Sequence, residues 1–184
     1  MRVLILGGPG AGKGTQAQQL CSQLNIPWIA TGDILRSAIA QNTELGHQAQ
    51  SYVERGELVP DMMMIEFIRQ RLLQPDAKNG WLLDGYPRTA FQAEELDFLL
   101  DELNQKLDWA IWLKVPKAVM MSRSSDRSRL DDQPDILQRR IELFEECTIP
   151  ILEYYEHRHH LLAINGDRSP EEVRQDILNK LNLQ

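Results

Sequence analysis

One short stretch limits this chain more than any other. Val3-Leu4-Ile5-Leu6 runs straight into Gly7-Gly8-Pro9-Gly10-Ala11-Gly12-Lys13-Gly14-Thr15, and a helical pattern, Gln16-Ala17-Gln18-Gln19-Leu20, follows. Glycines let a backbone curl until several N–H groups point at one anion, and the next helix adds the positive end of its dipole. Strand, Gly-x-x-x-x-Gly-Lys loop and helix together read as a phosphate site, with Lys13 as a mobile charge for outer phosphates. The common motif carries Ser or Thr directly after the lysine. Here Gly14 stands there and Thr15 follows, so a phosphate or Mg²⁺ contact from Thr15 starts one residue out of place.

A phosphate loop of this form belongs to an α/β chain, and the rest of the sequence agrees. Apolar runs over about Arg2–Leu6, Trp28–Ala30, Trp81–Leu83, Trp109–Lys114 and Leu161–Ile164 do not alternate with polar residues. They read as five strands buried on both faces of a parallel sheet. Helical stripes lie between and after them: Leu96, Leu99, Leu100 and Leu103; Leu137, Ile141 and Phe144, with Ile149-Pro150 bending or ending that helix; and Val173, Ile177 and Leu181. The expectation is one doubly wound domain over residues 1–184. In such a sheet, ligands sit beyond the carboxyl ends of the strands.

Composition removes several classes. The net charge is −7 and the pI about 5.1, which disfavours nucleic acid as a partner. Arginine outnumbers lysine 14 to 6, and its planar fork suits phosphate oxygens. Cys21 and Cys147 read as buried free thiols. His47, His157, His159 and His160 have no zinc-site spacing, so no structural zinc is expected. No apolar run reaches membrane length, and the N-terminus lacks a signal-peptide pattern, so a cytoplasmic protein with no membrane partner is expected.

The residues after the strands carry the next layer. Thr31-Gly32-Asp33-Ile34-Leu35-Arg36 follows the second strand, with Asp33 expected as a helix N-cap. Asp84 ends the third strand, before Gly85-Tyr86-Pro87-Arg88-Thr89 and Gln92. A carboxylate there is costly without a task, and ordering a metal's water shell beside a phosphate loop is one. Arg123, Arg127 and Arg129 precede Leu130-Asp131-Asp132, then Arg139-Arg140. At roughly 100° per residue, Arg140 lies within about 70° of the Leu137–Ile141–Phe144 stripe and reaches inward, whereas Arg139 faces water.

Taken in order, Gly7–Thr15, Thr31-Gly32-Asp33 with Arg36, Glu57-Leu58-Val59-Pro60-Asp61, and Asp84–Arg88 with Gln92 resemble the nucleoside monophosphate kinases, and among them adenylate kinase. The resemblance spans nearly the whole chain. It implies ATP on Gly10, Ala11, Gly12, Lys13, Gly14, Thr15, Arg123 and Arg168. It implies AMP on Thr31, Arg36, Glu57, Leu58, Val59, Gly85, Tyr86, Pro87, Arg88, Gln92, Arg129 and Arg140, with Gln92 reading the adenine edge. Lys13, Arg88, Arg123, Arg129 and Arg140 become the catalytic cations. Mg²⁺ accompanies ATP, held through water by Asp84. A mobile AMP-binding insert covers residues 30–59 and a short lid 123–131. ATP and AMP or ADP are the implied partners of a monomer. On pattern alone, Glu57–Val59 reads equally as an ordinary helix exit before Pro60. In the family an arginine four residues before Arg123 lies against the ATP base; here that position is Val119.

A phosphate acceptor needs no general base, because its second pKa is about 6. The chain offers many arginines near the expected cleft and no spare carboxylate to serve a hydroxyl acceptor. A UMP/CMP kinase is the nearest alternative, against which Thr31 and Gln92 resemble the adenine pattern. A nucleotide-binding protein without turnover is the other.

Overall fold

The computed structural model describes residues 1–125 and 133–183. Five parallel strands form one sheet: β1 (Arg2–Leu6), β2 (Trp28–Ala30), β3 (Trp81–Asp84), β4 (Trp109–Lys114) and β5 (Leu161–Asn165), in the order β2-β3-β1-β4-β5. Each expected strand is present, two of them one residue longer at the carboxyl end. The register brings Asp84 level with Ile5 on one side and Ala30 on the other. Leu6 pairs with Trp112, and Lys114 with Asn165. The strand ends therefore form one rim, and every loop that leaves it starts from the same side.

Strand side chains alternate between faces, and both faces are covered. Leu4, Leu6, Ile29, Trp81 and Leu83 pack in one core with α4 (Asp61–Leu72), α5 (Ala90–Glu102) and α8 (Ile149–His157). Val3, Ile5, Leu82, Ile111 and Leu113 pack in another with α1 (Lys13–Leu24) and α9 (Pro170–Lys180). This two-sided burial explains the unbroken apolar runs, because a strand covered on both faces has no solvent side. Each fully buried Leu or Ile side chain stabilises the fold by about 1.5–3 kcal/mol. No helix among the described residues is long and apolar enough to cross a membrane.

Between β2 and β3 the chain makes two short helices, α2 (Thr31–Ala40) and α3 (Glu44–Glu54), before α4. Thr43 joins the pair: its Oγ1 accepts from Gly46 N at 3.1 Å, and the same hydroxyl donates to the Ala38 carbonyl at 3.2 Å. The two backbones approach so closely that a Cβ on Gly46 would collide with the Ala38 carbonyl. Backbone cannot move aside as a flexible side chain can. Gly46→Ala is therefore expected to lower stability by about 1–3 kcal/mol, read from the midpoint of urea unfolding.

One local expectation changes, and a second takes a definite form. The helix after β2 begins at Thr31 with Ala30 as its N-cap, so Asp33 is not the cap. It lies in the first turn and pairs with Arg36 at 2.5 Å. The Leu137–Ile141 helix, α7 (Pro134–Leu143), does not stop at Ile149-Pro150. It runs through a wider π turn, Phe144–Thr148, into α8. Pro150 has no N–H to give and its ring would crowd the carbonyl four residues back, so the backbone loosens just before it.

Candidate active site

The phosphate loop rises from β1 into α1 as expected. Ala11 N donates to Gly8 O at 3.2 Å, and Lys13 Nζ donates to Gly7 O at 2.8 Å and Gly8 O at 3.1 Å. Gly10 has φ +79°, and a Cβ there would strike the Met120 carbonyl of α6 (Lys117–Ser125). Only glycine allows both that backbone shape and that approach. Thr15 is exposed, and it lines the cleft with Lys13 and Asp84.

Three hollows meet at the rim of the sheet. Thr31, Arg36, Glu57, Leu58, Val59 and Gln92 line the first. Gly7, Gly8, Lys13, Leu58 and Pro87 line the second. The third, about 290 Å³, runs along Gly10–Thr15 to Asp33, Arg36 and Asp84. Gly85, Arg88 and Arg140 border all three. Lys13 and Arg88 therefore face one continuous cavity. Four cations line its largest part (Lys13, Arg36, Arg88 and Arg140) against two carboxylates, Asp33 and Asp84. Low-dielectric walls strengthen the field of such a cluster and draw anions in.

Arg88 is placed by its backbone as much as by its side chain. Arg88 N donates to Gln92 Oε1 at 2.8 Å, and the Arg88 carbonyl accepts from Thr148 Oγ1 at 3.1 Å. Its Nε donates to Gly85 O at 2.8 Å. Thr31, 1% exposed, donates through Oγ1 to the Asp84 carbonyl at 3.1 Å and ties the ends of β2 and β3 together. Tyr86 departs from the expected set. Its ring is 1% exposed in the core, and its hydroxyl donates to the Gln92 carbonyl at 3.2 Å. Burial, with the charges of Glu95 and Asp61 behind it, pushes that phenol well above its usual range. Tyr86 supports the site from below.

Arg140 lines the cavity, as its helical position implies, but Arg139 does not simply face water. Arg139 Nε donates to Glu57 Oε1 at 3.1 Å, and its Nη2 donates to Oε2 at 3.3 Å. Hydrogen bonding to Glu57 raises the Arg139 pKa above its ordinary value. The side chain stays 39% exposed, and it also tethers the Gly56–Val59 stretch to α7. A helical wheel could not find this, because it carries no information about a partner 82 residues away.

Arg123 points to the far side of the loop. Its Nη1 donates to Gly166 O at 2.9 Å, and with Arg168 and Pro170 it lines a further recess that shares Ala11, Gly12 and Thr15 with the third hollow. Arg168 donates to Asp176 Oδ2 at 2.7 Å. Arg127, Arg129 and Leu130-Asp131-Asp132 lie outside the described residues, and with them most of the expected 123–131 lid. Cys21 is buried, and burial raises its thiol to about 11. Cys147 is only half-buried, with its pKa also raised, first by burial. Neither thiol carries thiolate character near neutral pH.

Sequence reasoning missed the residues that hold the site rather than line it: Asp61, Thr89, Thr148 and Arg139. Gln92, 2% exposed, donates from Nε2 to Asp61 Oδ1 at 2.8 Å, so half of the amide's capacity is already committed within the protein. Asp61 opens α4, where an acid is unremarkable, and Thr89 reads as the N-cap of α5.

The adenylate kinase family model matches residues 5–160. The chain is 65% identical to adenylate kinase 2 of a Nostoc species over 98% of each protein. It is 54% identical to adenylate kinase 2 of a Synechocystis species, covering 98% of this chain and all of that one. It is 43% identical to adenylate kinase of Bifidobacterium longum, again over 98% of this chain and all of the relative.

Proposed function

The chain belongs to the adenylate kinase family and transfers a phosphoryl group reversibly between ATP and AMP, giving two ADP; from that premise we propose which residues divide the work. The observation that carries the assignment is the cavity that Lys13, Arg88 and Arg140 border together. Two nucleotides meeting end to end bring phosphates to both sides of such a cavity.

ATP lies along Gly10–Thr15, with its outer phosphates on the loop N–H groups and Lys13. AMP lies in the hollow of Thr31, Glu57–Val59 and Gln92, with its phosphate between Arg36 and Arg88. Arg140 borders both. The AMP phosphate is mostly ionised at neutral pH, so it attacks without a base. What the protein supplies is alignment and positive charge where negative charge spreads in transit. Residues 30–59 act as the AMP-binding insert and 123–131 as the short lid, and their closure keeps water from taking the phosphoryl group. Arg123 and Arg168 are assigned to the ATP side, and Arg129, in the lid, to a bridge toward AMP.

Mg²⁺ fits the donors present. Among the described residues no group of three His, Cys, Asp or Glu side chains could hold a metal. Of the two carboxylates on the cleft, Asp84 ends β3 at the rim, with Thr15 bordering the same cleft. That suits a hard cation that keeps most of its waters and takes phosphate oxygens as ligands. When bound, it neutralises charge on the transferring phosphates; Asp84 orients its waters. A cytoplasmic monomer completes the proposal.

Mixing the protein with ATP, AMP and Mg²⁺ tests the assignment. Two ADP should appear for each AMP consumed, and ADP alone should yield ATP and AMP. Turnover with CMP or UMP in preference to AMP would overturn the assignment of the AMP hollow.

A further inference from the structure

The buried amide of Gln92 is gripped at both ends. Its Oε1 accepts from the Arg88 backbone N–H, and its Nε2 donates to Asp61 Oδ1, each at 2.8 Å. The Asp61 carboxylate also accepts from Thr89 Oγ1 at 3.2 Å. Thr89 Oγ1 in turn accepts from Gln92 N at 3.2 Å. A backbone N–H can only donate, and a carboxylate can only accept. Turned over by 180°, the amide would set N–H against N–H and oxygen against carboxylate. Both bonds would be lost where water cannot replace them. The two holders thus decide which end of the amide is oxygen and which is nitrogen. One lone pair and one N–H remain, and Gln92 borders the hollow assigned to AMP.

Resting on the reading that Gln92 contacts the AMP base, we infer that Asp61 is a positioning residue that makes the site selective for 6-aminopurines over 6-oxopurines. The edge of adenine presents a donor at N6 and an acceptor at N1. The edge of hypoxanthine presents the reverse, an acceptor at O6 and a donor at N1. A glutamine amide free to turn over serves both, because its two ends exchange roles. Held in one orientation it serves only one, and AMP as substrate identifies which. Selectivity of this kind comes from the unpaired polar groups that the wrong base leaves behind. Asp61 does not touch the substrate in this scheme. It acts from the start of α4 on a side chain of α5, 31 residues further along the chain.

The test compares kcat/KM for AMP and for IMP, at saturating ATP, in the wild type, Asp61→Asn and Gln92→Leu. The asparagine amide has the shape of the carboxylate but can present either oxygen or N–H, so the lock loses one of its two holders. Asp61→Asn should raise kcat/KM with IMP about tenfold and narrow the AMP/IMP ratio by at least that factor, about 1.4 kcal/mol. Both substrates are assayed on one preparation, so a smaller folded fraction cancels from the ratio, and loss of structure cannot raise a rate. Gln92→Leu should collapse the ratio as well. If Gln92→Leu collapses it while Asp61→Asn leaves it at the wild-type value, the lock is overturned. A ratio that narrows only because AMP is used less well, with no gain for IMP, overturns it too. If Gln92→Leu leaves the ratio unchanged, Gln92 does not read the base, and that reading falls together with the lock.

Discussion

Lys13→Ala is expected to lower the rate of ADP formation by about 10³-fold while the protein stays folded. The ammonium is the one mobile charge on the phosphate loop, and the rest of the loop binds through fixed backbone dipoles. Removing a single donor aimed at transition-state charge costs about 10²–10³-fold, and a full positive charge belongs at the top of that range. A 10³-fold loss corresponds to about 4 kcal/mol of barrier. The structural cost is much smaller. Lys13 is half-buried, and the two carbonyls it binds, Gly7 O and Gly8 O, can take water from the cleft instead. That is worth about 1 kcal/mol, or about 2–4 °C in unfolding temperature for a chain of this size. Steady-state rates beside a thermal melt check both halves. A variant within tenfold of wild type would remove Lys13 from the chemistry, and one inactive because unfolded would leave the loss unexplained by charge.

Arg88→Ala is expected to lower kcat/KM for AMP by about 10²–10³-fold, with KM for ATP within a few-fold of wild type. Arg88 borders each of the three hollows, so its guanidinium can hold the acceptor and the group in transit together. The substitution keeps the backbone bonds to Gln92 and Thr148, so the Gln92 amide and the π turn retain their anchor. Arg88→Lys should recover only a small part of the loss, because an ammonium keeps the charge but not the two-pronged fork. Equal losses for ATP and AMP would instead point to general damage to the cavity.

Much of the fold was legible because its signals are local. A strand buried on both faces must be apolar throughout, and the five runs found that way are the five strands of the sheet. Lys13 and Arg88 could be named because each follows a strand, and in a parallel sheet every strand end arrives at one rim. Arg140 could be placed by helical phase relative to Leu137 and Ile141. Expectation failed once for a local reason and fell short once through a distant partner. Asp33 gave up the cap because α2 starts three residues earlier than an Asp33 cap would place it, and Arg36 lies within reach. Arg139, although 39% exposed, also meets Glu57, because the Gly56–Val59 stretch lies against α7.

Residue type, periodicity and order along the chain already set the class of fold, the glycine loop between β1 and α1, and four cations, Lys13, Arg36, Arg88 and Arg140, that border the cavity; Arg123 lines another recess and Arg129 lies outside the described residues. Which side chains hold others in place became visible only in the packed fold: Thr148 on Arg88, Arg139 on Glu57, and Asp61 on the amide of Gln92. A hydrogen bond across 31 to 82 residues leaves no local pattern, because its two ends become neighbours only when the helices pack.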